Sequence, residues 1–189
     1  MEKLVVASNN KNKIREIKTL LGDKFEVFSM AEMGINLEIE ENGVTFEENA
    51  IIKAKAIYDL CSLPIVADDS GLMADALGGE PGVYSARYAG EPCNDENNNA
   101  KLLKNLDGVS ERTARFVSVV AFYDGNRTVT ASGTVEGVIL YEGKGSNGFG
   151  YDPLFLATEL NKTFGEATDE EKNTISHRAR ALANLVKKL

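Results

Sequence analysis

The chain has 189 residues, a formal net charge of −8, 43% hydrophobic and 26% charged residues, the balance of a globular domain with room for one substantial core or two small lobes. The acidic excess argues against a polymeric nucleic acid as partner, because phosphate backbones need a basic surface. No apolar run approaches the ~20 residues that span a bilayer and the N-terminus has no signal-peptide core, so no membrane partner is expected and the expected location is cytoplasmic.

In chain order, "KLVVA" reads as a short β-branched strand, and "SNNKNK" as a polar loop. Ile14, Ile17, Leu20 and Leu21 follow at helical spacing. A second strand is predicted near Phe25–Phe28, before an acidic irregular stretch, "NLEIEENG". Thr45 with Glu48 has the T-x-x-E spacing of a capping box, opening a helix through "FEENAIIKAKAIYDL". Pro64 closes that unit, and the apolar run Ile65-Val66-Ala67 leads into Asp68-Asp69-Ser70-Gly71, read as two carboxylates at a strand tip. A helix is expected around Glu96–Leu106, then two long β runs joined at Asp124-Gly125-Asn126 as a hairpin. The C-terminal "SHRARALANLVKKL" is amphipathic through Ala179, Leu182 and Val186. Helices interleaved with strands, followed by an antiparallel ribbon, make a mixed α/β fold with two lobes built on one sheet. Cys61 and Cys93 have neither metal-site spacing nor a disulfide framework, and Cys61 falls on the apolar side of its helix.

Four constellations are candidates for chemistry. Ser8 to Lys13 lie between a strand and a helix, where free N–H groups and the helix dipole favour phosphate, although no P-loop pattern is present. The same Ser and Asn residues would equally cap the helix. Glu38, Glu40, Glu41, Asp68 and Asp69 are hard oxygen donors of the kind magnesium takes alongside waters and substrate phosphates. A divalent ion would offset the repulsion between adjacent carboxylates; the alternative is ordinary Asp-Ser-Gly turn chemistry. "SNGFGYDP" presents an aromatic ring between glycines beside a carboxylate, suited to stacking and reading a purine, or else a turn with Phe149 filling the core. In "EEKNTISHRARA" a helix can begin at Thr168, with Glu171 three residues on, or at Ser176. Only the second start lets Lys172, His177 and Arg178 converge.

Six stretches in order from Val5 to Leu182, "SNNKNK", "ENAIIKAKA", "ADDSGL", "LGGEPGVYSARYAG", "GFGYDP" and "ISHRARAL", resemble the inosine/xanthosine triphosphate pyrophosphatase family. The resemblance implies an α/β fold, an elongated two-lobed mixed sheet flanked by helices with the active-site cleft between lobes, residues 1–189 forming a single pyrophosphatase domain, and a homodimer. It implies Mg²⁺-dependent hydrolysis of non-standard purine nucleoside triphosphates (ITP, dITP, XTP) between the α and β phosphates. The products are the nucleoside monophosphate and pyrophosphate, and the role is cleansing the nucleotide pool. By motif, Ser8, Asn9, Asn10, Lys11, Asn12 and Lys13 would hold the triphosphate, with Lys53 reaching it from the next helix. Glu40 and Asp69 would hold the metal, Asp69 also acting as general base, and Ser70 would touch substrate. Phe149, Gly150, Tyr151, Asp152, Lys172, His177 and Arg178 would hold the base. Asn9 departs from the glycine many relatives carry, and Asn is a side chain that tolerates positive φ. Donors from Lys172 or Arg178 to the 6-oxo group would reject adenine by leaving buried donors unpaired. A broader Mg²⁺-dependent nucleotide pyrophosphatase and a nucleotide-binding module without catalysis are the rival readings. From spacing alone, neither Asp68 nor Asp69 is singled out, because adjacent strand residues face opposite ways.

Overall fold

The computed structural model describes Met1–Leu189 as seven strands, five α-helices and two short 3₁₀ turns. The strands are β1 (Glu2–Val6), β2 (Phe25–Ser29), β3 (Ile65–Ala74), β4 (Thr113–Tyr123), β5 (Thr128–Ile139), β6 (Phe155–Ala157) and β7 (Lys162–Thr163). The helices are α1 (Lys11–Leu21), α2 (Phe46–Cys61), α3 (Asp95–Asn105), α4 (Asp169–Ile175) and α5 (His177–Val186). The strand order in the sheet is β2-β1-β3-β4-β5-β6-β7; β1 runs parallel to β2 and β3, while β6 is antiparallel to β5 and β7. The sheet is thus mixed, as expected from helices interleaved early and a ribbon late. No helix is long and apolar enough to cross a membrane.

The chain divides into two compact units, Met1–Asp69 with Ser118–Gly133 and Arg178–Leu189, and Ser70–Val117 with Thr134–His177. In the first unit, strand alternation sorts the core onto two faces. Leu4, Val6, Val66, Val120 and Phe122 pack with Ile17 and Leu21 of α1 and Ala181, Leu182 and Leu185 of α5. Val5, Ala7, Ile65, Ala67 and Ala121 pack on the other face with Ala50, Ala54 and Ile57 of α2. In the second unit Leu72, Phe116, Val135, Ile139, Phe155 and Phe164 form one cluster, closed by Leu102 and Leu106 from α3 and its end.

Three local expectations change. Asp68 and Asp69 are not at a strand tip: β3 continues to Ala74, so both carboxylates sit mid-strand and turn chemistry does not account for them. The capping box at Thr45 is half realised. Thr45 Oγ1 accepts from Glu48 N–H, but the Glu48 carboxylate accepts from Val44 N–H, one residue before the cap. The two proposed helix starts near the C-terminus both exist. Thr168 and Glu171 form a complete capping box on α4; Ser176, with extended backbone, ends it, and α5 begins at His177.

Candidate active site

Alternation along β3 decides between the two aspartates: Asp68 shares the parity of Val66 and faces α1 and α5, whereas Asp69 shares that of Ala67 and faces α2. Asp68 is 1% exposed. Its Oδ2 lies 3.0 Å from Lys13 Nζ and accepts from Arg178 Nη2 at 3.2 Å, and its Oδ1 accepts from the Ser118 hydroxyl. Burial alone would raise its carboxyl. The Arg178 and Lys13 charges, the Ser118 hydrogen bond and the Lys53 charge prevail and hold it well below the ordinary range. Arg178 is shared, because its Nη1 also pairs with the buried Glu16 of α1. Asp68 therefore reads as a permanent anion that orders cations.

Asp69 is 5% exposed, and its surroundings are of the opposite kind. Lys53 Nζ reaches Asp69 Oδ1 at 3.3 Å and also donates to the Asp68 carbonyl at 2.8 Å and pairs with Glu41 at 3.1 Å. Asp69 Oδ2 is buried with no hydrogen-bond partner. Burial raises the Asp69 carboxyl, Lys53 and Lys13 lower it, Glu41 and Asp68 raise it, and the balance is upward. An orphaned buried carboxylate oxygen beside further carboxylates suits a hard divalent cation, which takes oxygen ligands only. No group of three His, Cys, Asp or Glu side chains is assembled, so such an ion would complete its sphere with waters or substrate oxygens. Glu40 is exposed on the segment before α2, while its neighbour Glu41 is the glutamate that meets Lys53.

In the first loop, Asn10 is the N-cap of α1, its Oδ1 accepting from the N–H groups of Asn12 and Lys13. Ser8 Oγ accepts from Asn10 N–H, and Asn9 Nδ2 donates to Leu37 O. The capping reading of this loop is therefore realised. It leaves Lys11 exposed and Lys13 directed at Asp68. A cavity of about 500 Å³ takes in Ser8, Asn9 and Lys11 together with Ile14, Arg15 and Lys18.

In the second unit, Lys172 and Asp152, both buried, form an ion pair at 2.8 Å. Asp152 Oδ2 also accepts from Phe149 N–H at 3.0 Å. The Lys172 ammonium stands 4.8 Å from the Phe149 ring centroid and 5.4 Å from that of Phe164. Gly148 is required here: its φ is +73°, and a Cβ would lie 2.1 Å from Asp152 Oδ2. Phe149 is only half-buried and outside the core cluster, so it does not fill the core. Tyr151 does, its hydroxyl donating to Ser85 O at 2.6 Å. The His177 ring stacks on Phe116 at 4.8 Å with 14° between planes. Ser70, the residue after Asp69 on β3, is half-buried. The structure brings Lys172 and Asp152 together in this unit, while the two guanidinium nitrogens of Arg178 go to Asp68 and Glu16 in the other. Sequence reasoning missed Glu16, Ser118, Asp95 and Asn99, which act here as partners of site residues. A helical Glu three residues after Lys13 was the only sequence signal for Glu16.

Three comparisons bear on this arrangement. The model of the Ham1 family matches residues 4–188. A dITP/XTP pyrophosphatase of Bacillus licheniformis is 50% identical over 189 residues, covering 98% of this chain and 96% of the relative. One of Desulforamulus reducens is 53% identical over 184 residues, covering 95% and 92%. Among solved structures, a HAM1 protein from Coxiella burnetii superposes with a TM-score of 0.89 at 40% identity, covering 100% of this chain and 98% of that one.

Proposed function

The chain belongs to the Ham1 family, and we propose from that membership and the site just described that it hydrolyses non-standard purine nucleoside triphosphates, dITP, ITP and XTP, to the nucleoside monophosphate and pyrophosphate. The observation that carries the chemistry is Asp69: buried, pushed upward in basicity, with one oxygen on Lys53 and the other without a partner. A carboxylate in that state suits a general base or a metal ligand, and an inert structural anion would resemble Asp68 instead.

Magnesium is the metal of this reading, with Asp69 and Glu40 as its protein ligands and Glu41 at hand beside Lys53. When bound, it supplies charge neutralisation on the triphosphate and acidifies coordinated water. The chain's own residues do the rest. Asp69 accepts the proton of the attacking water as its oxygen bonds to the α-phosphorus. The bond from that phosphorus to the bridging oxygen breaks, and its electron pair leaves with pyrophosphate. Lys53 and Lys13, held by carboxylates in advance, offer ammonium donors to the phosphate oxygens, with Ser8, Asn9, Asn10, Lys11 and Asn12 lining the same end. Ser70 touches substrate next to Asp69. Phe149 offers a face for the purine, Lys172 a donor for the 6-oxo group, and Gly150, Tyr151, Asp152, His177 and Arg178 shape or support the base end. The same reading includes a single pyrophosphatase domain of two units acting as a cytoplasmic homodimer that cleanses the nucleotide pool.

Product analysis tests it. With Mg²⁺, dITP, ITP and XTP are expected to yield monophosphate and pyrophosphate, ATP and GTP little, and EDTA to abolish turnover. Orthophosphate release, or equal rates on ATP, would overturn the assignment. Lys172→Ala is expected to narrow the preference for ITP over ATP, since the donor that rejects a 6-amino group is gone.

A further inference from the structure

The loop proposed to carry the base is gripped by a helix the reaction does not otherwise use. Two side chains one turn apart on α3, Asp95 and Asn99, hold opposite ends of residue Gly150: its N–H donates to Asp95 Oδ2 at 2.9 Å, and its carbonyl accepts from Asn99 Nδ2 at 3.0 Å. Gly150 has φ +59° with open space where a side chain would project, so the grip of α3 is on its backbone groups. Its neighbours are pinned separately, Phe149 N–H on Asp152 and the Tyr151 hydroxyl on Ser85 O. Phe149, beneath the Lys172 ammonium, is thus the one ring of the loop left half-buried while the backbone on both sides is fixed.

The amide of Asn99 is used in an uneven way. Nδ2 serves Gly150, and Oδ1 is buried with no hydrogen-bond partner. The cost of burying that acceptor opposes the gain from the single Nδ2 hydrogen bond, so the contact adds little net stability. Asp95 is exposed, so removing it opens no cavity.

We propose that Asp95 and Asn99 are positioning residues for base recognition: by clamping Gly150 they fix the Phe149 face against which the purine stacks. This rests on the reading of the Phe149 loop as the base site. Nothing in it concerns the phosphate end, so its signature is selective for ligands that carry a base.

Product inhibition separates the two ends, with dIMP as the probe that carries a base and pyrophosphate as the one that does not. In Asp95→Ala and in Asn99→Leu, KM for dITP and the inhibition constant for dIMP are expected to rise about five- to tenfold, the reading of one lost hydrogen bond. Inhibition by pyrophosphate should stay unchanged, and the thermal midpoint should stay within about 4 °C of the parent. Asp95→Asn keeps an acceptor and should recover most of the dIMP inhibition. Equal weakening of dIMP and pyrophosphate, or a fall in midpoint without a selective change, would mark a merely structural role and overturn the proposal. Phe149→Ala serves as the control on the underlying reading. If it weakens dIMP while the α3 variants do not, the clamp fails and the base site stands. If Phe149→Ala also leaves dIMP unaffected, the loop does not bind the base and both readings fall.

Discussion

Asp68 and Asp69 share a composition, a strand and a depth, yet differ in what surrounds them. Asp68 meets Lys13, Arg178 and Ser118, while Asp69 meets one lysine and leaves an oxygen unpartnered. The pair therefore predicts opposite phenotypes for the same substitution. Asp69→Asn is expected to reduce kcat by about 10²–10⁴-fold, the usual contribution of a positioned base, with little loss of stability. Asp68→Asn removes the anion that compensates buried Arg178, and breaking such a pair costs about 3 kcal/mol or more, so urea midpoints should fall markedly. If Asp68→Asn is inactive but as stable as the parent while Asp69→Asn unfolds easily, the assignment of roles is reversed. The sequence contained both carboxylates but not their difference, because alternation says only that neighbours diverge. Which face holds Lys13, Glu16 and Arg178 depends on α1 and α5 lying on the same side of the sheet, a fact of tertiary packing.

At the scale of elements, the legible features were those with local physics behind them: β-branched runs for β1 and β3, apolar spacing for α1, and the Thr168 cap for α4. The sequence predicts an early end for β3 because two aspartates and a glycine ordinarily stop a strand; the strand continues because Lys53, Lys13, Arg178 and Ser118 partner the carboxylates. The division between α4 and α5 at Ser176 was legible only as two competing starts, and the structure uses both. A smaller joint ties α1 to the turn after β2. Lys18 Nζ bonds both oxygens of Glu32, at 2.8 and 2.6 Å, and Glu32 also accepts from the N–H and hydroxyl of Ser29. The Lys18 hydrogen bond first, then those from Ser29, hold the Glu32 carboxyl down to about 2 from its ordinary 4.5. Between those two values the unfolded chain binds a proton that the folded chain does not, so stability rises with pH across that window. The contribution is complete above pH 4.5 and is lost as pH falls through about 2. Glu32→Gln is expected to flatten the pH dependence of the urea midpoint in that range and to leave its shape unchanged near neutrality. An unaltered acid limb would show that the joint contributes nothing.

For the molecule as a whole, a net charge of −8 meets a substrate that is itself a polyanion. Three buried or half-buried site cations are already paired before substrate arrives. Lys13 is paired with Asp68, Lys53 with Glu41 and Asp69, and Arg178 with Glu16 and Asp68. Within that paired set the carboxylates of Glu16, Glu41, Asp68 and Asp69 outnumber the three cations, so the set is net negative until a divalent ion binds, while Lys11, Arg15 and Lys18 stand around the first-loop cavity outside it. The paired set therefore offers no basic funnel, and the charge of the whole chain opposes a polyanion at long range. Salt screens charges separated by more than the Debye length, about 10 Å at 0.1 M, but barely touches pairs in contact. Raising sodium chloride at constant free Mg²⁺ should thus weaken the repulsion more than the binding contacts. At substrate concentrations below KM, kcat/KM for dITP is expected to rise modestly, up to about twofold, between low and physiological ionic strength. A steep fall over the same range would mean that exposed cations such as Lys11 and Arg15 guide the triphosphate, and that the local field at the first loop is positive despite the charge of the whole.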